Sequence, residues 1–301
     1  MKILITGATG LIGSSITQLC LEKNYQVHYL TTSKEKIEHS KNYKGFYWNP
    51  KENEIDANCI EGVDKIINLV GASVSKRWTQ KQKKKIIDSR VDSANVLYNL
   101  LASQDNKITQ IVSASAIGIY PDSLTNLYHE DSPQVADNFL GDVVVKWERS
   151  VKQFETLGID VAKIRIGLVL ANDGGALEKM KEPVEKGFGA PLGSGKQWQS
   201  WIHIKDLSRM FIFALDNNLD GVFNGVAPNP VTNKKLTQAI AKILDKPIWL
   251  PNVPAFMLKL ILGEMSLIVL SSQLVSNKKI DTHGFKYRFT HIIPALKDLL
   301  K

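Results

Sequence analysis

Residues 2–13 read Lys2-Ile-Leu-Ile-Thr-Gly-Ala-Thr-Gly-Leu-Ile-Gly13, a short apolar run that leads into three glycines spaced three residues apart. The run predicts a buried β-strand, and the glycines predict a tight turn followed by the start of a helix. Gly7 permits the sharp turn, Gly10 lets the backbone approach a phosphate, and Gly13 allows close packing of helix on strand. Because backbone N–H groups at a helix N-terminus bind phosphate, the stretch predicts a dinucleotide site. Its members are Gly7, Thr9, Gly10, Leu11, Ile12 and Gly13.

The composition is that of a folded globular protein. The chain has 301 residues, of which 44% are hydrophobic and 23% charged, enough for a large α/β domain with an appendage. A strand predicted from residue 2 leaves no room for a cleavable signal peptide, and two cysteines, Cys20 and Cys59, fit a reducing cytoplasm. The six histidines show no metal-ligand spacing, so we expect no metal site. The expected location is cytoplasmic.

The most apolar stretch covers residues 254–270 and is interrupted by Lys259, Gly263 and Glu264. It is too short to span a bilayer comfortably, so we expect no membrane partner. The stretch instead predicts a buried helix, or a helix that covers a substrate cleft.

Part of the net charge of +8 is local, because seven basic residues and a single acid lie between Lys76 and Arg90. Such a run is typical of a solvated helix face whose field attracts an anionic ligand. Nucleic-acid binding is the alternative, but no recognised nucleic-acid module or aromatic platform accompanies the run. We therefore expect a small-molecule partner and no nucleic acid.

Apolar strand-like runs alternate with helical patterns in the first half of the chain, which predicts βαβ units. The fold class is therefore α/β: a doubly wound, Rossmann-type parallel sheet with helices on both faces. Residues 1–170 form the predicted dinucleotide-binding domain, with sheet contributions extending to about residue 225. Residues 171–301 form a smaller, loop-rich and mainly helical substrate subdomain, and the cleft between the two parts is the expected active site. The predicted strands are Ile3–Thr6, Gln26–Leu30, Lys65–Val70, Gln110–Ser113 and Val161–Ile166.

The end of the second predicted strand selects the dinucleotide. NAD-specific folds usually carry a carboxylate there for the ribose 2′-hydroxyl, whereas this strand ends in Thr31-Thr-Ser-Lys34 and the first acid is Glu35. Hydroxyls and an ammonium suit a 2′-phosphate. Thr32, Ser33 and Lys34 therefore predict NADP(H), with NAD(H) less favoured.

Several further segments resemble one known family. The Thr6–Gly13 loop, the Asn68–Ala72 turn and the run Arg165-Ile-Gly-Leu-Val-Leu170 are similar to the extended short-chain dehydrogenase/reductases. More specific segments resemble an atypical branch, the NAD-dependent epimerase/dehydratase-like proteins, loosely called cell-division-inhibitor-like, with a small C-terminal domain of their own at about residues 247–297. The specific segments are Arg77-Trp-Thr79, Asp88-Ser-Arg-Val91, Ser113-Ala-Ser-Ala-Ile-Gly118, Pro191-Leu-Gly-Ser-Gly195, Trp201-Ile-His-Ile204 and Ala227-Pro-Asn-Pro-Val-Thr232.

The resemblance also implies functional residues. Members of the wider family typically use a serine, a tyrosine and a lysine four residues after the tyrosine. Ser115 matches the serine, but alignment through Glu148 places Leu140 and Val144 at the other two positions. The candidates for cofactor contacts outside the first loop are Val70, Gly71, Ala72, Arg90 and Ser113.

Three explanations of the missing pair remain open. Another group, Tyr120 or His203, would serve as acid and base; the substrate would be activated so that no tyrosine is needed; or the protein would bind NADP(H) without turnover. The leading hypothesis is an NADP(H)-dependent oxidoreductase or epimerase-like enzyme acting on a small polar metabolite. The alternative is a non-catalytic, redox-responsive NADP(H)-binding protein. The oligomeric state stays open.

Overall fold

The computed structural model describes residues 1–301 and contains one large, mostly parallel sheet with helices on its faces. The strands are β1 (Lys2–Thr6), β2 (Gln26–Thr31), β3 (His39–Ser40), β4 (Tyr43–Asn49), β5 (Glu54–Ile55), β6 (Lys65–Asn68), β7 (Gln110–Ala116), β8 (Leu127–Tyr128), β9 (Asp160–Ile166), β10 (Leu168–Leu170), β11 (Trp198–Gln199), β12 (Trp201–His203), β13 (Gly221–Gly225), β14 (Val231–Thr232) and β15 (Leu274–Val275). The helices are α1 (Leu11–Glu22), α2 (Gln80–Ser103), α3 (Phe139–Lys152), α4 (Gly175–Glu185), α5 (Ile204–Asp216), α6 (Asn233–Ile243), α7 (Ala255–Leu262), α8 (Leu267–Leu270), α9 (Lys278–Thr282) and α10 (Ile292–Leu300).

The order of strands in the large sheet is β13-β9-β7-β6-β1-β2-β4-β3. All pairs from β13 to β4 are parallel, and only β3 and the short β5 pair antiparallel with β4. The chain runs from β1 outward through β2 to β4 and then returns to β6 on the other side of β1. The direction of winding reverses at β1, and ligands bind at the carboxyl edge of such a switch point. The predicted Rossmann-type fold is confirmed.

Continuous apolar runs in the central strands explain how the layers pack. Ile3, Leu4 and Ile5 in β1 are fully buried, as expected of a strand covered by helices on both faces. Helix α1 turns Ile16 and Cys20 toward this sheet. Helices α1 and α5 pack together, and α2 and α3 pack together as a second pair. One hydrophobic core joins the sheet to these helices.

The second half of the chain both completes the sheet and builds on its carboxyl edge. β13 adds the outermost parallel strand beside β9. Gln273 then reaches back to the segment after β7, where its Nε2 donates to the carbonyl oxygens of Ile117 and Tyr120 at 3.0 and 2.7 Å. A separate hydrophobic cluster, in which α4, α6 and α10 take part, supports this part of the chain.

Helix α7 lies within the apolar stretch at residues 254–270; of the two alternatives predicted for that stretch, a buried helix is wrong, and a helix that covers a substrate cleft stays a prediction. Only Leu258 is buried, while Phe256, Met257, Leu260 and Ile261 are exposed. Most of the apolar side chains of α7 therefore lie outside the core. No helix of the chain combines the length and apolar character needed to cross a bilayer.

Candidate functional site

The glycine-rich loop forms a close cradle between β1 and α1. Gly7 adopts φ +74°, in the left-handed region that glycine favours, and Gly13 packs so tightly that a Cβ there would lie 2.1 Å from the Gly7 carbonyl oxygen. Gly10 caps α1 without a side-chain hydrogen bond, and Ser14 N–H donates to the Gly10 carbonyl at 2.8 Å. The backbone N–H groups that precede Ser14 in the first turn therefore suit an anionic ligand. The cradle fits a dinucleotide pyrophosphate.

A ladder of polar side chains joins the carboxyl ends of β1 and β6 to the middle of β7. Thr6 Oγ1 donates to Asn68 Oδ1 at 2.7 Å, and Asn68 Nδ2 donates to Ser113 Oγ at 3.1 Å. Leu69 N–H also donates to Thr6 Oγ1, which fixes the turn after β6. The Ser113 side chain is fully buried inside this ladder. Its hydroxyl thus ties β7 to the end of β6, and its contact with a cofactor stays a prediction.

The turn at Val70, Gly71 and Ala72 lies against Arg90. A Cβ on Gly71 would stand 2.7 Å from the Arg90 Cζ, so a larger residue there would displace this guanidinium. Arg90 Nη1 donates to the carbonyl oxygens of Ala72 and Ile86 at 3.2 and 2.8 Å. The guanidinium has no salt bridge to a carboxylate, its Nε has no hydrogen-bond acceptor, and burial lowers its pKa to about 10.

Trp147 of α3 covers the other side of the same guanidinium, with the Arg90 Cζ 4.7 Å from the ring centroid. This is the geometry of a cation–π contact. Arg90 is therefore a held cation without a counter-ion, beside the turn that faces the glycine loop. Such a group favours an anionic ligand.

The loop after β2 carries the predicted 2′-phosphate groups. Thr32 and Lys34 are exposed, and the Lys34 ammonium lies 4.8 Å from the centroid of the Tyr47 ring without a carboxylate partner. The Ser33 hydroxyl donates to Glu35, and this hydrogen bond lowers the pKa of the Glu35 carboxyl. Ser33 thus brings a carboxylate into the loop, a contact that the order of residues did not reveal.

Ser115 ends β7 and is held by a buried carboxylate. Its hydroxyl donates to Glu148 Oε1 at 2.6 Å, and Arg165 Nε and Nη2 donate to the two oxygens of the same carboxylate at 2.8 and 3.0 Å. Burial acts to raise the pKa of the Glu148 carboxyl, but Arg165 and the Ser115 hydroxyl outweigh it and the pKa is lowered. Glu148 is therefore a largely buried anion that accepts a hydrogen bond from the Ser115 hydroxyl.

Tyr120 lies behind this group and not in an open cleft. Its ring is 1% exposed, its hydroxyl donates to Asn224 Oδ1 at 2.8 Å, and Arg165 Nη1 donates to its oxygen at 3.0 Å. Burial raises the pKa of the phenol above its ordinary value, although Arg165 acts to lower it. This placement favours a role in fixing Arg165 over the acid–base role considered from the sequence.

His203 is also enclosed. The side chain is fully buried, stacks on Phe289 at a ring-centroid distance of 3.9 Å, and uses Nδ1 to accept the backbone N–H of Lys205 at the start of α5. Its Nε2 lies 3.2 Å from Asp298 Oδ2 but is poorly aligned for a hydrogen bond. Burial lowers the pKa of the imidazole to about 4. The geometry is that of a helix N-cap, which favours a structural role over an acid–base role.

The positions that correspond to the missing tyrosine and lysine are occupied by packing. Leu140 Cβ would touch a Cβ on Gly118 at 3.4 Å, and its side chain joins the apolar cluster of Trp78 and Val143. Val144 is buried in a neighbouring cluster that contains Tyr120. Neither position holds a group that transfers protons, which agrees with the sequence alignment through Glu148.

Four residues that organise the site were not assigned this role from the sequence: Glu148, Thr6, Asn68 and Asn224. Glu148 served only as an alignment marker, yet it binds the proposed catalytic serine. Thr6 and Asn68 stand where buried strands end, and a polar residue directly after an apolar run is the signal that would have identified their ladder. Asn224 offers no such signal, because the sheet contribution predicted up to about residue 225 has no strand bounds, and only the structure places Asn224 in β13.

Comparison with known proteins agrees with this geometry. Residues 3–139 match the NAD dependent epimerase/dehydratase family, and residues 253–299 match a domain of unknown function, DUF1731. An epimerase family protein of Staphylococcus haemolyticus is 37% identical over 306 residues, which cover 99% of either chain. An epimerase family protein of Staphylococcus aureus strain MRSA252 is 38% identical over 302 residues, again covering 99% of either chain.

Solved structures share the fold across the whole chain. The human epimerase family protein SDR39U1 (isoform 2), determined with NADPH, has a TM-score of 0.86, 28% identity and 99% coverage of both chains. The Thermus thermophilus UDP-glucose 4-epimerase, determined with NAD, has a TM-score of 0.76 at 18% identity, with 99% of this chain and 98% of that chain covered; this likeness concerns the fold alone. The chain therefore belongs to the NAD-dependent epimerase/dehydratase family, with a DUF1731 domain at its C-terminal end.

Proposed function

We propose that this protein is an NADP(H)-dependent oxidoreductase or epimerase-like enzyme that acts on a small polar substrate at the carboxyl edge of the sheet. The observation that carries the proposal is the glycine loop at Gly7–Gly13, in which α1 begins so close to β1 that a Cβ on Gly13 would lie 2.1 Å from the Gly7 carbonyl oxygen. Such a close approach of backbone to helix N-terminus serves phosphate binding. The human relative determined with NADPH supports the same choice of ligand.

Different segments of this chain would bind different parts of the cofactor. The N–H groups of Leu11, Ile12 and Gly13 would bind the pyrophosphate, and Thr9 and Gly10 line its approach. Thr32, Ser33 and Lys34 would hold the 2′-phosphate. The turn at 70–72 would face the nicotinamide half, with Arg90 beside it as a cation for a phosphate or a substrate carboxylate. When bound, the nicotinamide supplies hydride transfer.

Ser115 would orient the reacting oxygen of the substrate. Because its proton is directed to the Glu148 carboxylate, the lone pairs of the Ser115 oxygen are left to accept a hydrogen bond from a substrate hydroxyl. Glu148, whose pKa is lowered, holds that orientation and is a weak base. A positioned acid–base group contributes roughly 10²–10⁴-fold in rate, so without one we expect slow turnover or an activated substrate.

A second candidate is a non-catalytic NADP(H)-binding protein that reports redox state to a partner. The observation that favours it is the placement of Leu140 and Val144 inside apolar clusters, where a reductase of the wider family carries its tyrosine and lysine. A partner would then have to distinguish NADPH from NADP⁺, because a ligand without differential affinity shifts no equilibrium.

Single-turnover oxidation of bound NADPH separates the two candidates. The protein is saturated with NADPH and mixed with a panel of aldehydes, ketones, 2-oxo acids and nucleotide sugars, while NADPH fluorescence is followed. If a substrate causes the NADPH fluorescence to fall, and the Ser115→Ala variant shows no such fall, the result supports the enzyme. Retained NADPH binding with no oxidation across the panel favours the redox-responsive protein, whose test is partner affinity measured with each form of the cofactor.

A further inference from the structure

Helix α7 presents its apolar side to solvent. Phe256, Met257, Leu260 and Ile261 are 70, 42, 82 and 65% exposed. Their spacing of i, i+1, i+4 and i+5 places them on one helix face. An ordinary surface helix turns such a stripe toward the core, whereas here Leu258 alone is buried. A contiguous exposed apolar face of this kind marks an interaction surface.

Two exposed aromatic rings accompany the chain that leads into α7. Phe188 and Trp249 are 65 and 66% exposed. Trp249 Nε1 donates to the Gly187 carbonyl oxygen at 3.0 Å. This hydrogen bond holds Trp249 beside the segment that carries Phe188. A tryptophan with an exposed ring and a bonded N–H suits the boundary between water and apolar material.

A strongly basic segment adjoins the other end of α7. Lys83 of α2 forms a salt bridge with Glu264, two residues beyond the end of α7, and Met265 and Leu267 pack on the cluster around Trp78. The start of α2 is thereby fixed against the end of α7. The exposed basic side chains around this junction are Lys76, Arg77, Lys81, Lys84 and Lys85, and Lys259 adds another on α7 itself. Of these, Lys84 has a carboxylate partner, Asp88.

We propose that α7 inserts shallowly into the surface of an anionic lipid bilayer, in the plane of the membrane, with the basic start of α2 against the headgroups. An exposed apolar stripe beside uncompensated positive charge is the combination that binds such surfaces. A second copy of this chain would bring the same positive charges together, so charge complementarity favours the anionic surface. The chain touches the bilayer and does not cross it, in keeping with the length of its helices.

Vesicle flotation with the full chain tests the proposal. The vesicles are phosphatidylcholine alone, or phosphatidylcholine with about 30% phosphatidylglycerol, each at low and at high salt. We expect binding to the anionic vesicles that weakens with salt, because the headgroup attraction is screened. Leu260→Glu with Ile261→Glu should reduce the vesicle partition coefficient by more than about tenfold. Lys81→Glu with Lys85→Glu should reduce the partition coefficient by at least about fivefold for each substituted lysine.

Val145→Glu is the matched control, because Val145 is an exposed apolar residue, 42% accessible, on a different helix. It should bind vesicles like the unaltered protein, and circular dichroism should show that all variants are folded. Failure of the unaltered protein to bind anionic vesicles overturns the proposal. So does light scattering that shows a dimer dissociated by Leu260→Glu with Ile261→Glu, since a second copy would then cover α7.

Discussion

The hydroxyl of Ser115 donates a 2.6 Å hydrogen bond to Glu148, and this carboxylate is itself held by Arg165. The pair connects the end of β7 with helix α3, the helix on which the wider family carries its catalytic tyrosine and lysine. In this chain the helix contributes an anion that fixes a serine, while Leu140 and Val144 contribute packing. If Ser115 binds the substrate as proposed, this arrangement would orient a substrate oxygen without providing a tuned proton donor.

Replacing Ser115 with alanine should slow turnover while leaving cofactor binding unchanged. The substitution deletes one oxygen and leaves the glycine loop and Arg90 untouched, so the dissociation constant for NADPH should stay within about twofold. The rate of NADPH oxidation should fall by about tenfold or more, the cost of losing one positioned hydrogen bond. Stopped-flow fluorescence measures both. An unchanged oxidation rate would remove Ser115 from the reaction.

Replacing Arg165 with methionine should destabilise the fold strongly. Glu148 would remain a buried carboxylate without its cation, and breaking such a pair costs about 3–5 kcal/mol. The control is Lys146→Met, which removes an exposed i,i+4 pair with Asp142 and should cost less than about 1 kcal/mol. Urea denaturation gives both free energies of unfolding. Equal effects of the two substitutions would contradict the buried ion pair.

Replacing Lys34 with alanine should weaken NADPH and spare NADH. Lys34 lies in the predicted 2′-phosphate loop without a carboxylate partner, so its loss removes a charge-assisted contact worth about tenfold or more in affinity. Lys36→Ala is the matched control, because Lys36 is exposed in the same short turn of helix. Calorimetric titration measures the affinity of each variant for NADPH and for NADH. A loss of similar size for NADH would assign Lys34 to a different part of the ligand.

His203 should make the fold sensitive to mild acid. Burial lowers its pKa to about 4, below the value of about 6.5 of an unfolded histidine. The unfolded chain therefore takes up the proton first, and the contribution of His203 to stability, complete above about pH 6.5, is lost as the pH falls toward 4. His203→Asn, which keeps a side-chain cap for α5, should flatten that part of the pH–stability profile. The measurement is the urea midpoint of unfolding as a function of pH between 7 and 4. An equally steep decrease of this midpoint in the variant would assign the effect to other groups.

The first βαβ unit and the sheet class could be predicted because local signals there agree with the tertiary fold. The strand of Ile3–Leu4–Ile5 and the glycines after it demand burial and a tight turn on chemical grounds alone, and the structure has both. Strand β4 was missed because its aromatic and polar residues alternate irregularly and a proline follows it. The predicted burial of α7 failed because apolar content predicts burial only when a partner surface exists.

In the candidate site, too, local signals locate some residues and leave the long-range contacts unpredicted. Glycines, strand-end hydroxyls and Lys34 could be located from spacing. The contacts of Ser115 with Glu148, and of Tyr120 with Asn224, join residues 33 and 104 positions apart, and no periodicity connects them. The enclosure of His203 likewise depends on Phe289 and Asp298, which lie far along the chain. Local pattern determined the elements, and long-range packing determined which polar groups are accessible.

Titration of the purified protein with NADPH, NADP⁺, NADH and NAD⁺ tests the central claim most directly. If the glycine loop at Gly7–Gly13 and the loop at Thr32–Lys34 bind the cofactor as proposed, NADPH and NADP⁺, which carry the 2′-phosphate, bind at least about tenfold more tightly than NADH and NAD⁺. Absence of binding by all four dinucleotides, or equal affinity for NADH and NADPH, would contradict the account.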